Sequence, residues 1–255
     1  MKVSLVGSGN VATVLGKLIR NRGHQIVQIL SRNIEHAKCL AEEFNCQFGD
    51  LLALPDPDSD IIILAITDTA LYHFDQQIQF GDKVVVHTAG SVSKEVLKNI
   101  SGSYGIIYPL QSLVMGSVAL PDIPFLIDGN SSETISFVQS FARSISNNVT
   151  LANDEERIKY HVAAVLVSNF TNHLFAMANE FCDKETIDFQ KLMPLIEETT
   201  NRIKNYPPQM VQTGPAIRED IYTLGKHLQV LSAHPDLKYL YLKLSESILK
   251  LHQKK

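Results

Sequence analysis

The chain opens with a β-branched run, "KVSLV" (Lys2–Val6), that passes straight into "GSGNVA" (Gly7–Ala12) and then into the helical pattern "TVLGKLIR". Three small residues, Gly7, Gly9 and Ala12, fall at the spacing G-x-G-x-x-A. The first permits a tight bend after a strand, and the second lets another group approach the backbone. The third lets helix and strand pack closely, an effect that Gly16 extends one turn further on. The helix that opens there presents unpaired amides and the positive end of its dipole at the turn. A bare turn of this kind also serves as an ordinary strand–helix connection, so the chain beyond it must decide.

Past the turn, strand-like and helix-like segments alternate. Short apolar runs at Gln25–Leu30, Ile61–Ile66, Lys83–His87, Gly105–Tyr108, Pro124–Ile127 and Asn148–Ala152 are separated by helical patterns. Those patterns cover Val11–Arg22, Ile34–Phe44, Thr69–Ile78 and Glu133–Ser146. Runs that are apolar along their whole length predict strands buried on both faces, as in a parallel sheet. After "ANDEER" the strands stop. "EERIKYHVAAVLVSNFTNHLFAMANEFCDKE" reads as one long helix, apolar around most of its middle and so expected to be buried against several neighbours. "FQKLMPLIEETTNRIKN" reads as a second helix that Pro194 threatens to kink, and Ile217–Leu231 and Asp236–His252 as two more. The fold class expected is therefore α/β, a Rossmann-type doubly wound, mostly parallel sheet followed by an all-helical C-terminal domain. The boundary falls between a domain at 1–152 and one at 153–255.

Composition narrows the class of function. A formal net charge of -4, with no basic cluster beyond the Lys254–Lys255 tail and short helix-face pairs, argues against a nucleic-acid partner. No apolar run approaches membrane-spanning length, and the first is short and breaks at once into Gly-Ser-Gly, so no secretory signal is expected. Cys39, Cys46 and Cys182 are far apart and the nine histidines lack ligand spacing, so no metal and a reducing, cytoplasmic compartment are expected.

Placed in the first βα turn of an alternating half, Gly7, Ser8, Gly9, Asn10, Val11 and Ala12 point to a bound dinucleotide. An acidic residue at the end of the second strand would favour the 2′-hydroxyl of NAD. This chain reads "ILSRN" there, so Ser31 and Arg32 offer a hydroxyl and a guanidinium to a 2′-phosphate, and NADP is the cofactor expected. Thr67, Thr69, Ala89 and Gly90 follow later strands and line the same edge, while Asp68 reads as a helix cap. Gln111 and Ser112, after the next strand, are placed to hydrogen-bond a small-molecule substrate, whereas Tyr108 and His87 read equally as packing.

On the long helix His161, Val165, Ser168 and Asn172 form a stripe with Asn169 beside it. His161 is a candidate proton donor or acceptor and Asn169 a candidate for orienting substrate; a purely structural hydrogen-bond network is the alternative. In "TGPAIRED" (Thr213–Asp220), Thr213 and Gly214 make a turn and Pro215 fits a first helical turn. Arg218 and Asp220 then project from the helix, Arg218 to clamp an anion or to pair with Asp220 or Glu219.

"GSGNVA", "HTAGS" (His87–Ser91), "YPLQS" (Tyr108–Ser112), "YHVAAVLVSNF" (Tyr160–Phe170) and "TGPAIRED" together resemble the 6-phosphogluconate dehydrogenase-like and pyrroline-5-carboxylate reductase-like superfamily. More closely the chain resembles a bacterial family described as NADP-dependent oxidoreductases, with a Rossmann-like first half and a C-terminal domain of unknown function. The resemblance spans essentially the whole chain. It implies a reductase or dehydrogenase acting on a small carbonyl or imine compound held between two domains, and a homodimer formed through the helical half. One departure is clear. β-Hydroxyacid dehydrogenases carry a catalytic lysine a few residues before an asparagine, but Val165 stands one turn before Asn169 here and Lys159 is too far N-terminal. That mechanism does not transfer, and the proton work falls to His161, to water, or to a substrate that needs little help. A non-catalytic NADP(H)-binding redox sensor is the alternative reading.

Overall fold

The computed structural model describes residues 1–51, 53–74, 79–116 and 122–252; the end of the helix expected at Thr69–Ile78 and the Lys254–Lys255 tail lie outside them. Two compact units make up the chain, Met1–Asn169 and Phe170–Lys255.

The first unit is built on eight strands: β1 (Lys2–Val6), β2 (Gln25–Leu30), β3 (Gln47–Gly49), β4 (Ile61–Leu64), β5 (Val84–His87), β6 (Ser103–Pro109), β7 (Phe125–Gly129) and β8 (Val149–Leu151). Their order in the sheet is β3-β2-β1-β4-β5-β6-β7-β8. All neighbours run parallel except β6 and β7, which are antiparallel with Tyr108 opposite Leu126 and Pro109 opposite Phe125. The order reverses between β1 and β4, the point in a doubly wound sheet where ligands collect at the strands' C-terminal ends.

Alternation along the strands covers both faces. Val3, Leu5, Ile61 and Ile63 pack on one side against Leu15 and Ile19 of α1 (Asn10–Asn21), Phe44 of α2 (Ile34–Phe44) and Phe141 of α4 (Ser132–Ile145). Val6, Ile62, Leu64 and Val85 pack on the other against Leu71 of α3 (Asp68–Tyr72) and Leu97. Each aliphatic side chain so buried stabilises the fold by about 1.5–3 kcal/mol relative to exposure. Side-chain caps fix the helix starts: Asn33 for α2, Thr67 for α3 and Ser131 for α4. Thr67, one residue before Asp68, is thus the cap of α3, and Asp68 takes the first helical position.

The helix expected to run unbroken from Glu155 is divided. α5 (Asp154–Ala164) begins at a capping box between Asn153 and Glu156, reinforced by Asp154 and Glu155 at the positive end of its dipole. Val165–Phe170 then form a π turn. α5 and this turn up to Asn169 belong to the first unit. The middle of the expected helix is not buried within the chain, since Val162, Leu166 and Val167 are all more than half exposed.

The second unit holds α6 (Thr171–Lys184), α7 (Met193–Asn205), α8 (Ile221–Val230) and α9 (Pro235–His252). Pro194 kinks nothing: it sits in the first turn of α7, where a missing amide costs no intrahelical bond. "TGPAIRED" is not helical either. Its residues form a chain of turns, and α8 starts only after Asp220, whose carboxylate accepts from the amide and hydroxyl of Thr223 as the N-cap.

Candidate functional site

The glycine turn stands at the C-terminal end of β1. Gly7 has φ +121°, and a Cβ there would lie 2.2 Å from the Ala65 carbonyl oxygen on the neighbouring chain segment. Its amide donates to the Leu30 carbonyl at 2.7 Å, so the turn is clamped between the ends of β2 and β4. Gly9 is different in kind. It is the N-cap of α1, with ordinary extended backbone and no side-chain capping bond, and a Cβ on it would meet nothing within 4 Å. The first turn of α1 carries no acidic residue. Gly7 is therefore needed by the fold, whereas Gly9 faces open space at an uncapped helix N-terminus, the arrangement that receives a phosphate.

Around this turn, Ser8 and Ser31 join hydroxyls at 2.8 Å, and Arg32 is exposed at the end of β2. The Asn10 side-chain oxygen accepts from the Met115 amide at 3.0 Å, which holds the segment after β6 over the start of α1. Val11 and Ala12 occupy that first turn. Thr67 spends its hydroxyl on the cap of α3, and Thr69 is exposed within that helix.

Past β5 the chain reads "HTAGSVS". His87 is fully buried; its Nδ1 accepts from the Ala89 amide at 3.2 Å and its Nε2 faces the Ser93 carbonyl at 3.3 Å. With both nitrogens engaged, the ring is a neutral staple across the turn. Burial pushes its pKa down to about 4, partly offset by the bond to Ser93. Ala89 is buried, and the space beside Gly90 is filled: a Cβ there would stand 2.6 Å from His161 Nδ1 and 3.1 Å from the Tyr108 ring.

The same segment is tied to α5 further along. Arg157 is 1% exposed, and its Nη2 donates to the Val92 carbonyl and to Asp154. Its Nε and Nη1 are buried with no hydrogen-bond partner among the described residues. Burial of the Asp154 carboxyl works against its charge, but bonds from Ser93 and Arg157 more than reverse this and hold it below the usual range. Arg157 and His161 are four residues apart, about 6 Å along the helix. Val92 and Gly90 are two residues apart on a bent stretch of chain, and each meets one of that pair. Loop and helix therefore run side by side in matched steps, Arg157 against Val92 and His161 against Gly90.

At the upper step lies a pair that the spacing of residues does not reveal. The Tyr108 hydroxyl meets His161 Nδ1 at 3.0 Å, with the two rings edge to face. Both line a cleft of about 520 Å³ in the first unit, together with Val11, Thr88, Gln111, Ser112, Ser168 and Asn169. The π turn brings Ser168 and Asn169 to the cleft together. Widened turns of this type recur at functional sites. The Gln111 side-chain oxygen accepts from the Ser112 amide at 3.0 Å.

The structure thus gathers Val11, Gln111, Ser112, His161 and Asn169 from the sequence candidates around one cleft, and adds Tyr108. Thr213 and Arg218 are exposed in the second unit, Arg218 in the turns before α8, and Asp220 is committed to the cap. Among the described residues no group of three or more His, Cys, Asp or Glu is placed to hold a metal, and no helix is long and apolar enough to cross a membrane.

A 3-2-1-4-5-6 strand order with a glycine turn after β1 defines a Rossmann-type protein of the dinucleotide-binding class. Residues 2–90 match the family described as NADP oxidoreductase, coenzyme F420-dependent, and residues 123–248 match a domain of unknown function, DUF2520. A candidate NADP oxidoreductase from Bacteroides fragilis is 36% identical over 98% of both chains, with a TM-score of 0.90. The chain belongs to this family of two-domain NADP oxidoreductases. The fold is shared more distantly by a reductive aminase from Aspergillus terreus (14% identity, 98% of this chain and 93% of that one, TM-score 0.71). A pyrroline-5-carboxylate reductase from Streptococcus pyogenes shares it as well (15% identity, 98% of both chains, TM-score 0.63). No curated protein matches the chain.

Proposed function

We propose that the chain is an NADP(H)-dependent oxidoreductase acting on a small carbonyl or imine compound. The observation that carries this reading is the contrast within the glycine turn, where Gly7 is pressed against β4 while Gly9 opens an uncapped helix N-terminus to ligand. That cradle fits a pyrophosphate. The amides of Gly9–Ala12 would hold it, and Ser31 with Arg32 would hold the 2′-phosphate. Family membership and the NADPH complex formed by the Aspergillus reductive aminase support the same cofactor.

When bound, the nicotinamide supplies or accepts the hydride. The chain's own residues do the rest. Asn169 and Gln111 orient the substrate, apolar side chains line the cleft around it, and His161 stands where a proton is held and moved. Thr213 and Arg218 stay candidates for contact with an anionic group of a substrate.

We extend the reading to a homodimer formed through the helical half, since Leu195, Met210, Ile221 and Tyr222 leave large apolar surfaces exposed on a single chain. Sedimentation equilibrium checks it, and a monomer at micromolar concentration overturns it. The three cysteines are free, which suits a cytoplasmic protein.

Calorimetric titration with NADPH and NADH, on the native chain and on Arg32→Ala, tests the cofactor assignment. NADPH is expected to bind more tightly, and Arg32→Ala to weaken it roughly tenfold toward the NADH value, the scale of one charge-assisted hydrogen bond. Failure of the folded protein to bind either nucleotide overturns the reading.

A further inference from the structure

We propose that Tyr108 delivers the proton to the substrate's heteroatom, with His161 behind it as the source from which the tyrosine is refilled. The inference rests on the oxidoreductase reading and assigns its acid. Tyr108 lies at the end of β6, lines the cleft and is only 9% exposed. The single protein partner found for it among the described residues is His161 Nδ1 at 3.0 Å. With Nδ1 protonated, the imidazole donates to the phenol oxygen and leaves the phenol hydrogen free to point into the cleft.

Gly90 is the third part of the device. A side chain at that position would drive into both rings, so glycine is what allows tyrosine and histidine to close on each other. The surroundings suit a proton donor. Burial raises the Tyr108 hydroxyl above the ordinary phenol value and keeps it protonated at neutral pH. The buried Arg157 charge acts in the opposite sense and favours the phenolate as it forms, while Asp68 opposes it.

Hydride from a reduced nicotinamide nucleotide forms a C–H bond at the carbonyl or imine carbon, and the π pair moves to oxygen or nitrogen. That atom takes the Tyr108 hydroxyl proton. As Nε2 of the His161 imidazole takes a proton from water, leaving hydroxide, the Nδ1 proton passes to the phenolate; exchange of the ring protons with water then restores the Nδ1–H tautomer. One hydride and one solvent proton are consumed, and an alcohol or amine results.

Two probes of the same skeleton separate this role from a structural one. Reduction of 3,4-dihydroisoquinoline in alkaline buffer, where the imine is uncharged, requires a proton on nitrogen; reduction of N-methyl-3,4-dihydroisoquinolinium does not. In Tyr108→Phe the ratio of the two NADPH-dependent rates, imine over iminium, is expected to fall roughly 10²–10⁴-fold, the usual contribution of general acid catalysis. Gly90→Ala, which parts the rings without removing either, should lower the same ratio. In the nucleotide-free protein, the ¹⁵N resonance of His161 Nδ1, assigned by its loss in His161→Gln, should move in both variants. An unchanged rate ratio, or an unmoved Nδ1 resonance, overturns Tyr108 as the donor and leaves the oxidoreductase reading standing. If the unaltered chain binds NADPH and reduces neither probe, the carbonyl or imine reading falls, and the assignment of Tyr108 falls with it.

Discussion

Gly9→Ser sets stability and nucleotide binding against each other. Gly9 has φ -87° and ψ -168°, a conformation that any residue adopts, and a Cβ there meets nothing within 4 Å. Serine is also a better N-cap than glycine, so the folded state should gain a few tenths of a kcal/mol. The serine oxygen would claim an amide of the first turn of α1 and stand in the space proposed for a phosphate. Losing one charge-assisted bond of this kind costs about 1.5–3 kcal/mol, or roughly 10- to 100-fold in affinity. Gly7→Ala inverts the pattern: its φ of +121° and the 2.2 Å approach to the Ala65 carbonyl mean that the variant should lose folding stability outright. The assay is thermal unfolding beside NADPH calorimetry on each variant. A Gly9→Ser protein that melts like the native chain and binds NADPH undiminished would show that the turn is architecture and that the nucleotide, if any, lies elsewhere.

The packing sets two further outcomes. His87 titrates near 4 when folded and near 6.5 when unfolded, so between those values acid favours the unfolded chain. Its neutral form contributes about 3 kcal/mol above pH 6.5, lost as the pH falls toward 4; urea midpoints at pH 5 and 7 should converge in His87→Gln, and parallel behaviour of the two proteins would contradict the staple. Gly16→Ala, ordinarily a gain of about 1 kcal/mol in a helix, should instead destabilise by roughly 1–2 kcal/mol. The new Cβ would stand 2.5 Å from the Phe44 ring, and chemical denaturation reads the sign directly.

Much of the first unit is legible in the sequence because its strands are uniform apolar runs bounded by turn residues. Ile61–Leu64 has no side chain that water reaches, and such a segment has few alternatives to a buried strand. β3 is not legible: Gln47–Gly49 is short, and two of its three residues are exposed. The π turn carries no local mark either, since nothing in "VLVSNF" distinguishes it from ordinary helix. Pattern alone puts Pro194 and Pro215 inside helices, while the capping geometry of Asp220 moves the start of α8 six residues past Pro215.

The candidate site divides in the same way. Its glycine turn is a local motif and shows in the six residues Gly7–Ala12. The Tyr108–His161 pair joins positions 53 residues apart and depends on where α5 sets His161 against the end of β6. Arg157, inside the charged string "DEERIK", looks in sequence like one more solvated residue, and only its burial under Val92 sets it apart.

The matched steps of loop and helix have an evolutionary corollary. A replaced side chain at Val92 or Ala164 changes packing by degrees, but a changed chain length acts all at once. One residue inserted between Arg157 and His161 would turn the histidine by about 100° and lift it by about 1.5 Å, carrying it off Gly90 and away from Tyr108. One residue deleted between Gly90 and Val92 would pull the same contacts out of phase from the other side. Active descendants of this chain should therefore keep the count of residues across 88–93 and 154–164 fixed and retain Gly90, Arg157 and His161, while the remaining positions vary in composition. Insertions should accumulate instead in stretches such as 50–60, which lie outside this paired segment.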